Sequence, residues 1–415
     1  MFQLRLSRGG QLRKNHFRVF CLIIACLVTL PMICTLVNFC SSRLTNQIVV
    51  KERELNGVFS APEKPKFSLD AVLSGKFQSE AEEYFEYKLV TRKLFTRIYN
   101  QFLYDLFRSA DNQEILVGRD TYLFEKAYPS ALLFEMDAVQ KADLEQKIDR
   151  LARLNDLLKQ RGVTMIVRMS PSKAEYYSEY LPSSYDRFVK MKQSGAYTQN
   201  WREVFLDKIQ TTDIPFYDRH LLLQELKDQG QVVFTKGGTH WSLAPMEEYI
   251  NGLNAYMEGF LNKKLGRIEA VDEQVLTGTM GLLDDSDIWK LCWNAVSVEP
   301  DYPSPNIVYR AIPGEDVIRV FTVGQSFTTQ LLQTIYSMEN PIWSETYLSW
   351  YDSRVIRYNS ETPLGIQISD VTEDFEQYLG MDVIIIEFLE NGTGEKQFEF
   401  VDHMLDYLGK NGVAP

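Results

Sequence analysis

The sequence predicts an α/β layer fold built on a mainly parallel sheet, and three observations carry that reading. Near-continuous apolar runs at 163–169, 317–323 and 382–388 have the length of strands buried on both faces. Amphipathic stretches of helix length separate them, as crossover connections between parallel strands require. The 415 residues are 45% apolar and include 24 Phe and 22 Tyr, enough to fill a sizeable core.

The elements follow in chain order. The first 40 residues contain no acid and carry Arg5, Arg8, Arg13, Lys14 and Arg18, and an uncharged apolar run covers 19–39. About 20 such residues cross a bilayer as a helix, because lipid offers the backbone no other hydrogen-bond partner. The basic flank predicts residues 1–18 as a cytoplasmic tail and 19–39 as a single transmembrane anchor. A cleavable signal peptide is the rival reading; against it stand the length of the run and the lack of a clear small-x-small site at 34–38. Residues 40–75 read as stem and linker, with Pro62 and Pro65, and residues 76–415 as one extracytoplasmic domain.

Within that domain a broad aromatic stripe over 78–108 predicts one long helix packed on the rest. Residues 115–118 form a short strand leading into 122–124. The helix over 138–160 has Asp137 placed to cap it and Gly162 to end it. Further helical patterns occupy 188–208, 221–227, 244–261, 328–338 and 398–408. Residues 284–316 carry four prolines without periodicity and read as an insertion or a substrate-facing loop.

Charge and cysteines narrow the function. Of 44 basic residues five lie in the first 40, so against 56 acidic ones the remainder has a net charge of −17. Such a surface argues against nucleic acid as a partner. Four of the five cysteines (Cys21, Cys26, Cys34, Cys40) sit in or beside the apolar run, leaving only Cys292 outside and no intramolecular disulfide there. Neither Cys-x-x-Cys nor His-x-x-x-His spacing occurs, so no metal site or cofactor is expected.

The chemistry is concentrated in two short segments, Gly238-Thr239-His240-Trp241 and Gly324-Gln325-Ser326-Phe327. A serine where a strand turns into a helix presents its hydroxyl at the sheet edge, and a histidine in reach can take its proton. Gly324 permits the tight turn, and the amide of Phe327 is placed to hold an oxyanion. Equally, Ser326 can act as an N-cap and His240 as an ordinary histidine beside a buried Trp. Asp213 and Asp218 are the carboxylates available to orient His240, although Asp218 also suits a cap of the next helix. Ser172, Lys173, Trp241 and Arg354 are candidate substrate contacts. The plainer readings are a helix start after Pro171 for the first two and core packing with Trp350 and Tyr351 for Arg354.

Four blocks in order resemble the SGNH-hydrolase-like domains of the alginate O-acetyltransferase type, also called DHHW proteins. They are Gly118-Arg119-Asp120-Thr121-Tyr122-Leu123-Phe124, Ser170-Pro171-Ser172-Lys173-Ala174-Glu175, Thr239-His240-Trp241 and Gly324-Gln325-Ser326-Phe327, with a closing strand ending at Glu390. The resemblance covers roughly 76–410 and implies a three-layer SGNH-like fold. It implies acetyl transfer to or from a sugar hydroxyl outside the cytoplasm, with Ser326 as nucleophile and His240 as base. It also implies a polysaccharide acceptor and a membrane-bound partner that passes acetyl groups outward. The family's aspartate position falls on Gly238. A catalytically silent polysaccharide-binding or assembly subunit, and a carbohydrate acetyl esterase, are therefore the alternatives.

Overall fold

The computed structural model describes residues 2–45, 62–110, 113–196, 199–276, 303–350, 354–369, 375–390, 392 and 394–410. Cys292 and Tyr351 lie outside them, as does most of the stem. The described residues divide into two compact units, one up to Phe107 and one from Arg108 onward.

The first unit holds the helix Phe2–Thr45 and the helices Leu69–Leu73, Lys76–Lys88 and Arg92–Phe107. The stretch His16–Leu44 contains an 18-residue window of mean hydropathy 2.7 and is long and apolar enough to cross a membrane by length and composition. The long helix expected over 78–108 is two helices. Leu89 leaves the helical region (φ −66°, ψ 116°) and ends the first of them, which an unbroken side-chain stripe does not reveal.

Among the described residues, the second unit is organised by eleven strands: β1 (Ile115–Val117), β2 (Leu123–Glu125), β3 (Thr164–Ser170), β4 (Phe216–Tyr217), β5 (Arg267–Leu276), β6 (Ser304–Ile312), β7 (Arg319–Gly324), β8 (Glu345–Trp350), β9 (Arg354–Asn359), β10 (Thr362–Ser369) and β11 (Val383–Leu389). Seven form one sheet in the order β10-β9-β8-β7-β11-β3-β4. The sheet is mixed: β8, β7, β11, β3 and β4 run parallel, and β9 pairs antiparallel with both β8 and β10. The expectation of a mainly parallel sheet is corrected here, because β8, β9 and β10 were not legible as strands. They carry Arg, Asn, Thr and Ser among their apolar residues, which interrupts the apolar runs, and β10 at the sheet edge is largely exposed.

The central strand β11 shows why two layers of helix form. Val383, Ile385 and Leu389 enter one core with Ile166, Val320 and Leu348, and Ile384, Ile386 and Phe388 enter a second with Met165, Val167 and Phe321. Period-two alternation thus feeds two apolar faces, each buried side chain contributing about 1.5–3 kcal/mol. Helices Met246–Leu261 and Ser326–Tyr336 close the first core, and Ala138–Gln160, Trp201–Ile209 and Glu395–Lys410 the second. Asp137 caps its helix as expected, accepting from the amides of Val139 and Gln140, and Gly162 follows its end at φ +75°. The pattern over 188–208 resolves into Asp186–Gln193 and Trp201–Ile209, the second begun by the Asn200 side chain accepting from the Glu203 amide. The described end of the segment 284–316 forms strand β6, paired antiparallel with β5.

Candidate active site

Ser326 sits where β7 passes into the helix Ser326–Tyr336, at the carboxyl end of a parallel strand, where open α/β sheets place their ligands. The turn is fixed from the neighbouring strand. Glu387 on β11 is fully buried; its Oε2 accepts from the Gln325 amide (2.8 Å) and the Thr328 hydroxyl (2.6 Å). Its Oε1 accepts from Arg168 Nη2 (2.6 Å) and the Ser170 hydroxyl (2.5 Å), and Arg168 also donates to Tyr249 Oη and Thr328 Oγ1. Arg168 and Glu387 lie opposite each other in the β3–β11 register. A buried carboxylate persists only when its charge and lone pairs are met, and here four donors meet them. The space is tight: a Cβ at Gly324 would overlap Thr328 Oγ1 and stand 2.9 Å from Glu387 Oε2.

The serine is not the capping residue. Gln325, in an extended conformation (φ −127°, ψ −159°), occupies that position, and Ser326 is the first residue of the helix and half-buried. The amides of the first turn, that of Phe327 among them, have no carbonyl partner within the helix and suit a developing negative charge.

His240 is buried, with its ring centroid 4.7 Å from that of Phe327. It stands on a loop closed by a bridge between Phe234 and Trp241 and by the Ser242 amide donating to the Val233 carbonyl (2.8 Å). Two side chains hold the backbone on either side of it. Gln330, one turn along the helix from Ser326, donates to the Trp241 carbonyl (2.8 Å), and Lys173 donates to the carbonyls of Thr235 (3.2 Å), Lys236 (3.3 Å) and Gly238. The Thr239 hydroxyl donates to Glu125 Oε1 (2.7 Å).

Ser326 and His240 line one cleft of about 570 Å³ together with Thr329, Gln333, Trp350 and Arg354. Arg354 lies over the Trp350 ring at 3.8 Å, a cation–π contact on the wall that β8 and β9 supply. Of the residues suggested as substrate contacts, Arg354 alone is placed on this cleft. Trp241 is fully buried, edge-on to Tyr249 at 4.6 Å. Ser172 caps the short helix Lys173–Tyr176 through the Ala174 amide, and Lys173 is buried on its carbonyls. The apolar packing around β3 and β11 draws the Pro171 turn inward, which its polar sequence does not betray.

The two aspartates expected near His240 are placed elsewhere. Asp213 precedes β4, at the strand end opposite to that of Ser326, and its carbonyl accepts from Asn155 and Lys159. Asp218 pairs with Arg202 (2.8 Å) and accepts from the His220 amide (3.0 Å), starting the helix His220–Asp228. Arg202 also bonds Glu390 just beyond β11 (2.6 Å), whose other oxygen accepts from the Ser172 amide (2.9 Å). His220 Nδ1 stands 3.1 Å from the Tyr176 hydroxyl. Burial drives the Glu390 carboxyl up to about 7, Arg202 opposing and Glu175 and Asp218 assisting, while burial and Arg202 hold His220 below its usual value.

Sequence reasoning passed over Arg168, Glu387 and Gln330. A signal for the first two existed: each is the lone charge in an otherwise apolar strand, and such a charge must find its opposite inside. For Gln330 no signal existed, since its bond crosses 89 residues.

Part of the chain is similar to known proteins. Residues 115–245 match the family described as an SGNH hydrolase-like domain of the acetyltransferase AlgX. The probable alginate O-acetylase AlgJ of Pseudomonas aeruginosa is 25% identical over 198 residues, 46% of each chain, and that of Pseudomonas putida 22% identical over 171 residues, 41% of this chain and 40% of the relative. The match thus spans less than half the length of either relative. Among solved structures, the O-acetyltransferase domain of Pseudomonas putida AlgJ aligns at a TM-score of 0.39 and 20% identity, covering 67% of this chain and 91% of that one. Bacillus cereus PatB1 aligns at 0.41 and 11% identity, covering 69% and 99%.

Proposed function

We propose that this chain, whose residues 115–245 match the SGNH hydrolase-like domain of the acetyltransferase AlgX, is an O-acetyltransferase that acts on a polysaccharide outside the cytoplasm and is held to the membrane by its N-terminal helix. The observation that carries the reading is the meeting of Ser326 and His240 in one cleft, with the serine at a helix N-terminus. In the first half-reaction Ser326 Oγ attacks the acetyl carbonyl as His240 takes its proton. The first-turn amides hold the oxyanion, and the donor alcohol leaves with the proton, giving acetyl-serine. In the second half a sugar hydroxyl attacks that ester, His240 takes its proton, and Ser326 recovers its own.

The acceptor follows from the cleft's walls. Thr329, Gln333 and Ser337 present hydroxyls and an amide along the helix, and Trp350 and Arg354 face them from the strands, a lining suited to a hydroxyl-rich chain. Acetyl-CoA is cytoplasmic, so the reading requires a membrane partner that passes acetyl groups outward. Gly238 favours a second reading, a silent polysaccharide-binding subunit, because it cannot supply the carboxylate that usually fixes a catalytic imidazole.

The test uses the full-length chain in detergent with 4-nitrophenyl acetate. The expected outcome is turnover with an acetyl group on Ser326 by mass spectrometry, lost at least about 1,000-fold in Ser326→Ala and His240→Ala. Folded protein with neither turnover nor adduct would sink the enzymatic reading in favour of the silent subunit.

A further inference from the structure

The Pro171-Ser172-Lys173 turn stands off the cleft wall, yet it carries a buried ammonium, the only lysine buried among the described residues. Lys173 is 4% exposed, and its ammonium lies against carbonyl oxygens rather than in water. Burying an ammonium is costly, and a lysine there is retained only where its hydrogen bonds compensate. Its ammonium donates to the carbonyls of Thr235, Lys236 and Gly238, all in the loop that ends at His240. The base of this arrangement is itself anchored: the Ser172 amide is held by Glu390, and Phe124 lies under the ammonium at 5.2 Å.

His240 is therefore flanked by two backbone clamps. Lys173 holds the carbonyl two residues before it, and Gln330, from the helix that begins at Ser326, holds the carbonyl one residue after it. The residue two before the histidine is Gly238, where a side chain would otherwise orient the ring. We propose that Lys173 is a positioning residue for His240: it fixes the loop backbone at Gly238 and so sets the imidazole toward Ser326 in a site that has no carboxylate at that position. This rests on the acyl-transfer reading for its catalytic consequence, and on the loop geometry alone for its structural one.

Lys173→Met and Lys173→Ala, made in the full-length chain in detergent, separate the two. With 4-nitrophenyl acetate, Lys173→Met is expected to lower kcat about 10- to 100-fold with KM within about two-fold, the pattern of a displaced catalytic group. Deuterium exchange is expected to rise in peptides covering 234–242 and to stay unchanged in β3, β7 and β11. Added n-propylamine is expected to restore part of the turnover of Lys173→Ala and none of that of His240→Ala. A kcat for Lys173→Met within about two-fold of the parent, or unchanged exchange over 234–242, overturns the proposal. Should Lys173→Met exchange faster throughout, it has lost its fold; the amine arm then decides, saturable rescue supporting the role and no rescue overturning it. If the parent itself turns over no ester, the acyl-transfer reading falls, and exchange over 234–242 judges the positioning role alone.

Discussion

Gly324 is where a single atom decides the geometry of the candidate nucleophile turn. The absence of a Cβ lets Thr328 Oγ1 and Glu387 Oε2 close over the strand end, and Glu387 then takes the Gln325 amide that leads into Ser326. Gly324→Ala must push apart a buried polar cage whose members are already at hydrogen-bond distance. Overpacking of that kind costs about 1–3 kcal/mol. The expected outcome is a lowered thermal midpoint together with loss of most ester turnover, read by calorimetry and by 4-nitrophenyl acetate hydrolysis. A variant with parental stability and turnover would show that the cage yields. At this scale the sequence was legible for Ser326, His240 and Gly324, which stand in recognisable turns. It was not legible for Lys173, whose burial is set by partners 62 or more residues away; the burial of Trp241, which packs on Tyr249, was one of the two readings its sequence offered.

The helix Ser326–Tyr336 joins the two halves of the site. Its apolar residues Phe327, Leu331, Leu332 and Ile335 enter the first core, while Ser326, Thr329 and Gln333 line the cleft. Residues three, four and seven apart share a face, so one helix serves both purposes. Gln330 uses its position on the boundary to hold the Trp241 carbonyl, which couples the serine helix to the histidine loop. Gln330→Leu leaves that buried acceptor without its donor at a cost of about 1–3 kcal/mol. The expected result is a lower thermal midpoint and about ten-fold slower ester turnover, as the loop loses one of its clamps. Parental values in both measurements would remove the coupling. The helix's existence was readable from its apolar spacing. Its start was not: residue 328 was the expected beginning, and the observed start at Ser326 changes the serine from a capping residue to a first-turn residue.

Across the second unit, the carboxyl ends of β11, β3 and β4 gather an ionic cluster in which the half-buried Arg202, Asp218, Glu175 and His220 surround the buried Glu390 and Tyr176. Glu390 carries the consequence for pH. Burial, against Arg202 and with Glu175 and Asp218, lifts its carboxyl from 4.5 to about 7 in the folded chain. A raised folded value means that the native state binds this proton more tightly than the unfolded chain does. The associated stability is complete below about 4.5 and is lost as pH rises through about 7. Glu390→Gln, which keeps the Ser172 amide's acceptor and removes the titration, is expected to flatten the thermal midpoint between those values. An unaltered pH profile in the variant would assign the slope to other groups.

The sequence alone determined the two-faced sheet, the apolar N-terminal helix and the two motifs, because each is written in local order. Strand runs announce burial on both faces, a charge-free stretch announces lipid-length apolarity, and a serine after a strand announces a turn. Only the tertiary structure decided that the sheet is mixed, that Arg354 rather than Trp241 or Lys173 faces the cleft, that Asp213 precedes β4 at the strand end opposite to that of Ser326, and that Asp218 pairs with Arg202. The reason is distance along the chain. Glu387 reaches back 219 residues to Arg168, and Gln330 reaches back 89 to Trp241. Hydrogen bonds of that span are set by how the layers stack, and no local pattern of residues records them.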